Sequence, residues 1–367
     1  MTLNATTDLS VQNATDSGTS GFVDQATLKL ILERLRSIAH AAQTRTSSYS
    51  SLGSELWQHI SEILNTGKLT RPALVLLGYR SFGGKINPRV LDLASAFELL
   101  HTALIIHDDI IDRDFVRRGQ PTLGAHYRDM ALVAGRDESD AEHAGNSAAL
   151  IAGDLLINEA IKIAARAAFG LECEAAIEAS FALAIEQAGA GELEDLLYSL
   201  KPQPATTGQV LRMEELKTAG YSFQLPLQAG ALLAGATESQ AQTLGSIGCQ
   251  LGVAYQVIDD VLGTFGDSET TGKPVDSDLR EFKSTVLLSL ASEDQKFSQL
   301  LDGYRIGQVS ANEIRRALDE LGAEKFARQL AHQLCTNATR SAVFLRLPKQ
   351  AQHMLHDCTR MILQRSW

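Results

Sequence analysis

Aromatic residues are scarce in this chain, 6% of 367 positions, and prolines number only 8. A β-sandwich or barrel draws on both, at turn intervals of about ten residues, so the shortage excludes those folds and favours an Ala- and Leu-rich helical one. Basic residues are also in deficit: 33 Lys and Arg against 44 Asp and Glu leave a formal net charge of -11. That excludes a broad nucleic-acid surface, and any phosphate bound here must be met by local groups. The four cysteines, Cys173, Cys249, Cys335 and Cys358, form no CxxC pair, which excludes a zinc knuckle and a disulfide framework. The first 22 residues carry no Lys or Arg and no apolar run, so they lack the pattern of a signal peptide. Their Ser, Thr, Asn and Gly content predicts a disordered tail over 1–24, with one domain over 25–367. No apolar stretch approaches the ~18–20 residues that cross a bilayer, since the run over 99–106 is interrupted by His101. The expectation is a cytoplasmic protein with no stable membrane insertion.

What is present is helical periodicity. Leu28, Leu32, Leu35 and Ile38 mark one amphipathic stripe, and Leu56, Ile60 and Leu64 another. Turn chemistry punctuates the chain at Gly83-Gly84, Gly119-Gln120-Pro121, 202–208, 266–274 and Gly303. No segment alternates with period two. The polar stretch between Arg128 and Asn146 predicts a surface loop. Two segments share a layout, LLHTALIIHDDIID and GVAYQVIDDVLG, each running an apolar helix into paired aspartates.

In the first, Asp108 and Asp112 fall one helical turn apart on one side, with Asp109 about 100° around from Asp108. Like charges so close repel, and acids at a helix C-terminus oppose the macrodipole, so the cluster is favourable chiefly when hard cations occupy it. The residues before it are too apolar for a solvated face. In the second, Asp259 and Asp260 close the helix and Gly263 stands where a third acid would be one turn on. Arg117 and Arg118 follow the first pair, and arginine forks suit phosphate oxygens. Lys217-Thr218, Lys273 and Lys283 supply further donors. Upstream, Lys68 and Arg71 lie three apart between Gly67 and Pro72, and with His101 they make a metal-free anion pocket conceivable. A lone His in an apolar helix is more often a satisfied core residue.

With these residues in this order the chain resembles the trans-isoprenyl diphosphate synthases, the polyprenyl synthetase family, over roughly 66–286. The family's DDxxD followed by RRG is matched by Asp108, Asp109, Asp112, Arg117, Arg118 and Gly119, and its GKxxRP by Gly67, Lys68, Arg71 and Pro72. Its ExxH is matched by Glu98 and His101, its KT by Lys217-Thr218, and its second acidic motif by Gln256, Asp259 and Asp260, with Lys283 downstream. Leu69 stands where the family usually has Arg, Glu192 where it has Gln, and Gly263 where it has Asp. The last departure, in DDVLGTFGD followed by TGKP and DLREFK, resembles actinobacterial members that make geranylgeranyl or longer diphosphates.

The resemblance implies an all-α isoprenoid synthase fold, helices around a central cavity, and a homodimer. It implies head-to-tail condensation of isopentenyl diphosphate with an allylic diphosphate (dimethylallyl, geranyl or farnesyl), with three Mg²⁺ ions held by Asp108, Asp112 and Asp259 beside Asp109 and Asp260. Arg117, Lys217 and Lys283 would neutralise the leaving pyrophosphate, with Thr218, Gln256 and Lys273 as further substrate-binding residues. Isopentenyl diphosphate would sit on Lys68, Arg71, His101 and Arg118. Product length would be set along the helix of the first motif, where one turn rises about 5.4 Å, close to one isoprene unit. Ala103 and Leu104 form the first floor, Leu100 the next, and Phe97 the first large ring, which predicts a C20 product, geranylgeranyl diphosphate. The rivals are a longer product, a class I terpene cyclase, which has no use for a second diphosphate pocket, and a non-catalytic regulatory subunit of a prenyl synthase, which the gap at Gly263 would suit.

Overall fold

The computed structural model describes residues 23–117, 119–201, 203–266, 279 and 282–365. Residues 1–22 of the tail expected over 1–24 lie outside them, as do Arg118 and Lys273. The described chain forms two compact units, one of residues 23–182, Leu225–Gly245 and Leu347–Met361, the other of Leu183–Gln224, Ser246–Arg346 and 362–365.

In chain order the helices are α1 (Gln25–Ser47), α2 (Ser51–Leu64), α3 (Thr70–Ser81), α4 (Pro88–Ile111), α5 (Leu123–Val133), α6 (Glu138–Ala168), α7 (Glu174–Ser199) and α8 (Thr207–Glu214). A π-helical segment, Glu215–Gln224, leads to α9 (Leu225–Leu233), α10 (Glu238–Phe265), α11 (Val286–Ala291), α12 (Gln295–Arg305), α13 (Ala311–Glu320), α14 (Ala323–Arg340) and α15 (Lys349–Leu363). The strands among the described residues are Val116–Arg117 (β1) and Gln120–Pro121 (β2), paired antiparallel. A two-residue strand is too short to show an alternation, so the sequence pattern misses it.

In the first unit, α4 is the central element. Asn87 caps it, accepting from the N–H groups of Arg89 and Val90, and Pro88 opens its first turn. Leu93, Phe97, Leu100 and Ala103 are fully buried, and so is Leu99 on another side. A helix apolar all round must be enclosed all round. This corrects the expectation drawn from interrupted apolar runs: α4 is long and apolar enough by composition to span a membrane, yet 72% of its most apolar stretch is buried inside the protein. Asp92 on α4 pairs with Arg34 of α1 and Arg166 of α6, tying the three helices together near the N-terminal end of α4. The stripes read from α1 and α2 face inward as expected, with Leu28, Leu32, Leu35, Ile38, Leu56, Ile60 and Leu64 all buried.

Two expectations need correction. The predicted loop over 128–146 is mostly helix: α5 runs to Val133 and α6 begins at Glu138. Asp137 caps α6 by accepting from the Asp140 N–H at 2.8 Å, and Glu138 and Asp140 sit in the first turn, where acids favour the helix dipole. The polar run is thus a helix start. Gly303 lies inside α12, and the turn comes at Gly307, with φ 73°.

Helix α3 approaches α9 backbone to backbone. A Cβ on Gly78 would lie 2.2 Å from the Leu227 carbonyl oxygen, and one on Gly230 would lie 2.1 Å from that of Val75. Gly78→Ala should therefore cost at least about 1–3 kcal/mol in chemical denaturation. Gly189→Ala, on an exposed part of α7 with nothing within 4 Å, should gain about 0.5–1 kcal/mol. Equal midpoints for the two variants would contradict this packing.

Candidate active site

Helix α4 carries the first acidic motif out of the core at its C-terminal end. The helix stops at Ile111, and Arg113 adopts a left-handed φ of 59°. After this turn, and before the chain reverses again through Gly119, φ 69°, into β2, β1 brings Arg117 back over the helix end. There Arg117 forks two carboxylates: its Nε donates to Asp109 Oδ1 at 2.5 Å and its Nη2 to Asp108 Oδ2 at 2.7 Å. Asp109 is buried, and burial pushes its carboxyl up to about 6 even though Arg117 pulls the other way. Burial alone would lower Arg117, but the two aspartates hold it well above its ordinary value. Asp112, at the helix cap, is partly exposed. This donor set, carboxylate oxygens crowded at the wrong end of a helix dipole, suits a hard divalent cation, whose charge would bring the buried Asp109 back toward ionisation.

A second polar station lies two turns back on the same helix. Arg71 of α3 donates through Nη1 to Nε2 of His101 at 2.9 Å, which assigns that imidazole the tautomer with its proton on Nδ1. Seven residues separate His101 from Asp108, so the two side chains share a face about 10 Å apart along α4. Lys68 precedes this pair and is partly exposed. Leu69, in place of the family's Arg, is 2% exposed with φ 53°; its side chain contributes packing and no charge to this station. Along α4, Ala103, Leu100 and Phe97 are fully buried and Leu104 partly so, and the Phe97 ring meets Phe181 edge-on at 5.2 Å.

In the second unit, Lys217 lies on the π-helical segment. Its Nζ donates to Asp195 at 2.7 Å and Glu192 at 3.1 Å, both on α7. Gly191 permits this approach, since a Cβ there would lie 2.2 Å from the Lys217 N. Glu192, the departure from Gln, thereby adds a full negative charge beside the lysine. Thr218 follows, partly exposed, and Lys283 is partly exposed just before α11.

The two aspartates of the second motif part company. Asp260 is buried, accepts from Gln256 Nε2 at 3.1 Å, and adjoins the fully buried Glu214. Burial, reinforced by the charges of Asp260 and Asp195, raises the Glu214 carboxyl well above its ordinary range. Asp259, a third exposed, meets Arg365 Nη1 at 2.9 Å, and that guanidinium lies over the Tyr255 ring at 4.0 Å. Glu214 and Arg365 were missed from sequence. Glu214 looks like any helix-end acid, and Arg365 stands in a C-terminal stretch with no motif around it.

Comparison with known proteins shows the family. The chain matches the polyprenyl synthetase family over residues 54–321. It is 32% identical over 287 residues to the geranylgeranyl diphosphate synthase of Sulfolobus acidocaldarius, covering 76% of this chain and 79% of that one. It is 35% identical over 256 residues to the geranylfarnesyl diphosphate synthase of Aeropyrum pernix, covering 68% and 74% respectively. Among solved structures it superposes on a geranylgeranyl pyrophosphate synthase from Corynebacterium glutamicum, complexed with isoprenyl diphosphate and magnesium, with a TM-score of 0.84 at 25% identity, over 92% of this chain and 98% of that one. The chain therefore belongs to the polyprenyl synthetase family and has its all-α isoprenoid synthase fold.

Proposed function

We propose that this prenyltransferase joins isopentenyl diphosphate head to tail to an allylic diphosphate, releasing pyrophosphate, and that its main product is the C20 compound geranylgeranyl diphosphate. One observation carries the reading: α4 presents two differently built polar stations on one face, acids forked by Arg117 at its end and the Arg71–His101 pair two turns back. A reaction between two diphosphates, only one of which ionises, calls for one metal-dependent and one metal-free anchor. A cyclase, with a single diphosphate, has no need of the second.

Asp108, Asp109 and Asp112 are the proposed metal ligands of the first unit, and Asp259, with Asp260 behind it, those of the second. The magnesium bound to the Corynebacterium glutamicum relative supports Mg²⁺ as the ion, and bound Mg²⁺ would supply Lewis-acid neutralisation of the diphosphate charge. Arg117 orients Asp108 and Asp109 and adds a fixed positive charge where the pyrophosphate leaves. Lys217 and Lys283 add charge in the second unit. Arg71, with Lys68, holds isopentenyl diphosphate, and His101 fixes the rotamer of Arg71. No side chain is required as nucleophile, and the departing pyrophosphate takes the final proton. The fully buried Ala103, Leu100 and Phe97 support a floor for the growing chain, with Phe97 braced by Phe181. A homodimer acting in the cytoplasm on these soluble diphosphates, with three Mg²⁺ per active site, completes the proposal.

Incubation with Mg²⁺, labelled isopentenyl diphosphate and, separately, dimethylallyl, geranyl and farnesyl diphosphates should yield a dominant C20 product. Products longer than C20 would reject the Phe97 floor, and no incorporation from folded protein would reject the reaction. Ala103→Phe should shift the product to C15 or shorter, and an unchanged product would remove α4 as the ruler. Glu192→Gln, which deletes the extra charge beside Lys217, should lower KM for the allylic diphosphate several-fold. A raised KM would mean that the ion pair serves to place Lys217 correctly.

A further inference from the structure

In the first unit, away from the acidic motif, three potential metal ligands converge that the condensation does not use. Glu55 and His59 lie one turn apart on α2, and His126 lies on α5; one ligand atom from each falls within 4.8 Å of the others. The two imidazole rings have centroids 3.9 Å apart at 46°, too inclined to stack face to face, so that their edges can address a common point. Nε2 of His59 and Nε2 of His126 are both enclosed, and neither has a hydrogen-bond partner among the described residues. A buried ring nitrogen without a partner is destabilising, and here two lie in rings beside each other.

The surroundings fit a ligand role better than chance packing. Glu62, three residues beyond His59 on the same helix, has a carboxylate oxygen 3.5 Å from His59 Nδ1. A metal-ligating histidine commonly gives its other ring N–H to a carboxylate, and a small rotation of Glu62 would bring it to hydrogen-bond distance, leaving Nε2 of His59 as the ligand. Tyr127 closes the side, edge-on to both imidazoles at 6.0 and 5.2 Å. Two nitrogens and one carboxylate oxygen are the donor set of zinc-class ions; Mg²⁺ prefers oxygen alone. Donors around a tetrahedral zinc lie about 3.3 Å apart, given bonds of about 2.0 Å, so small side-chain rotations would close the site.

We propose that Glu55, His59 and His126 form a second metal site, specific for a zinc-class divalent ion and independent of the acidic motif, which clamps α5 to α2. Three protein ligands leave a fourth position for water. The clamp fixes the start of α5, whose capping residue Thr122 donates to the Asp114 carbonyl oxygen at 3.3 Å, next to the segment that carries Arg117.

The full-length protein, stripped with a chelator and held in excess Mg²⁺ to fill the oxygen sites, should be titrated with Co²⁺. One equivalent should bind with the intense visible bands of tetrahedral Co²⁺, and Zn²⁺ should displace it. Asp108→Asn should keep that signal, Glu62→Gln should weaken binding about tenfold, and His126→Ala and His59→Asn should abolish it with circular dichroism unchanged. Only the faint bands of octahedral Co²⁺ in the wild-type protein would overturn the proposal whether or not the histidine variants fold. So would a tetrahedral signal that survives both histidine substitutions.

Discussion

A buried apolar helix that ends in three aspartates is stable only if something positive stands at its end, and here Arg117 does so. It is delivered by a left-handed turn at Arg113 and a two-residue strand, and it forks Asp108 and Asp109 in a partly buried setting. Paired charges of this kind give little net stability, because desolvation consumes most of the Coulomb gain, whereas removing one partner leaves a buried charge unbalanced. The arrangement fits a site whose charge is meant to change. With Asp109 pushed up to about 6 by burial, the motif is short of positive charge even with Arg117 in place.

The second unit handles its acids by the same rule with different partners. Lys217 answers Asp195 and Glu192, and Arg365 answers Asp259. Asp260 and Glu214, buried side by side, are accommodated by holding the Glu214 carboxyl toward its protonated form. The π-helical segment around Lys217 is a rare backbone form, found frequently at functional sites, and Gly191 is what lets α7 come close to it.

The fold class was legible because helical periodicity and a shortage of aromatics and prolines leave few alternatives. Helical spacing alone puts Asp108 and Asp112 on one side of their helix, whereas His101 was singled out by its match to the family's ExxH and not by spacing. Other features depended on partners distant in sequence. Asp109 and Asp260 look equivalent to their neighbours in the chain, and only tertiary burial separates them from Asp108 and Asp259. The start of α6 was hidden because Asp137, Glu138 and Asp140 are polar for a local reason, capping, that resembles solvent exposure. Leu69 could be noted as a departure from the family, but not as a core residue in a left-handed conformation. The continuous burial of α4 escaped a reading that stopped at His101, since a polar side chain paired with Arg71 interrupts an apolar run without exposing the helix.

The central claim is that α4 carries two diphosphate anchors, one that needs a divalent cation and one that does not. Calorimetric titration with isopentenyl diphosphate in the presence of a chelator tests it most directly. Binding should persist without metal, be unaffected by Asp108→Asn and be lost in Arg71→Gln, while a non-hydrolysable allylic diphosphate analogue should bind only with Mg²⁺ and be lost in Asp108→Asn. If both ligands required Mg²⁺ and both were lost in Asp108→Asn, the two stations would be one, and the account would fail.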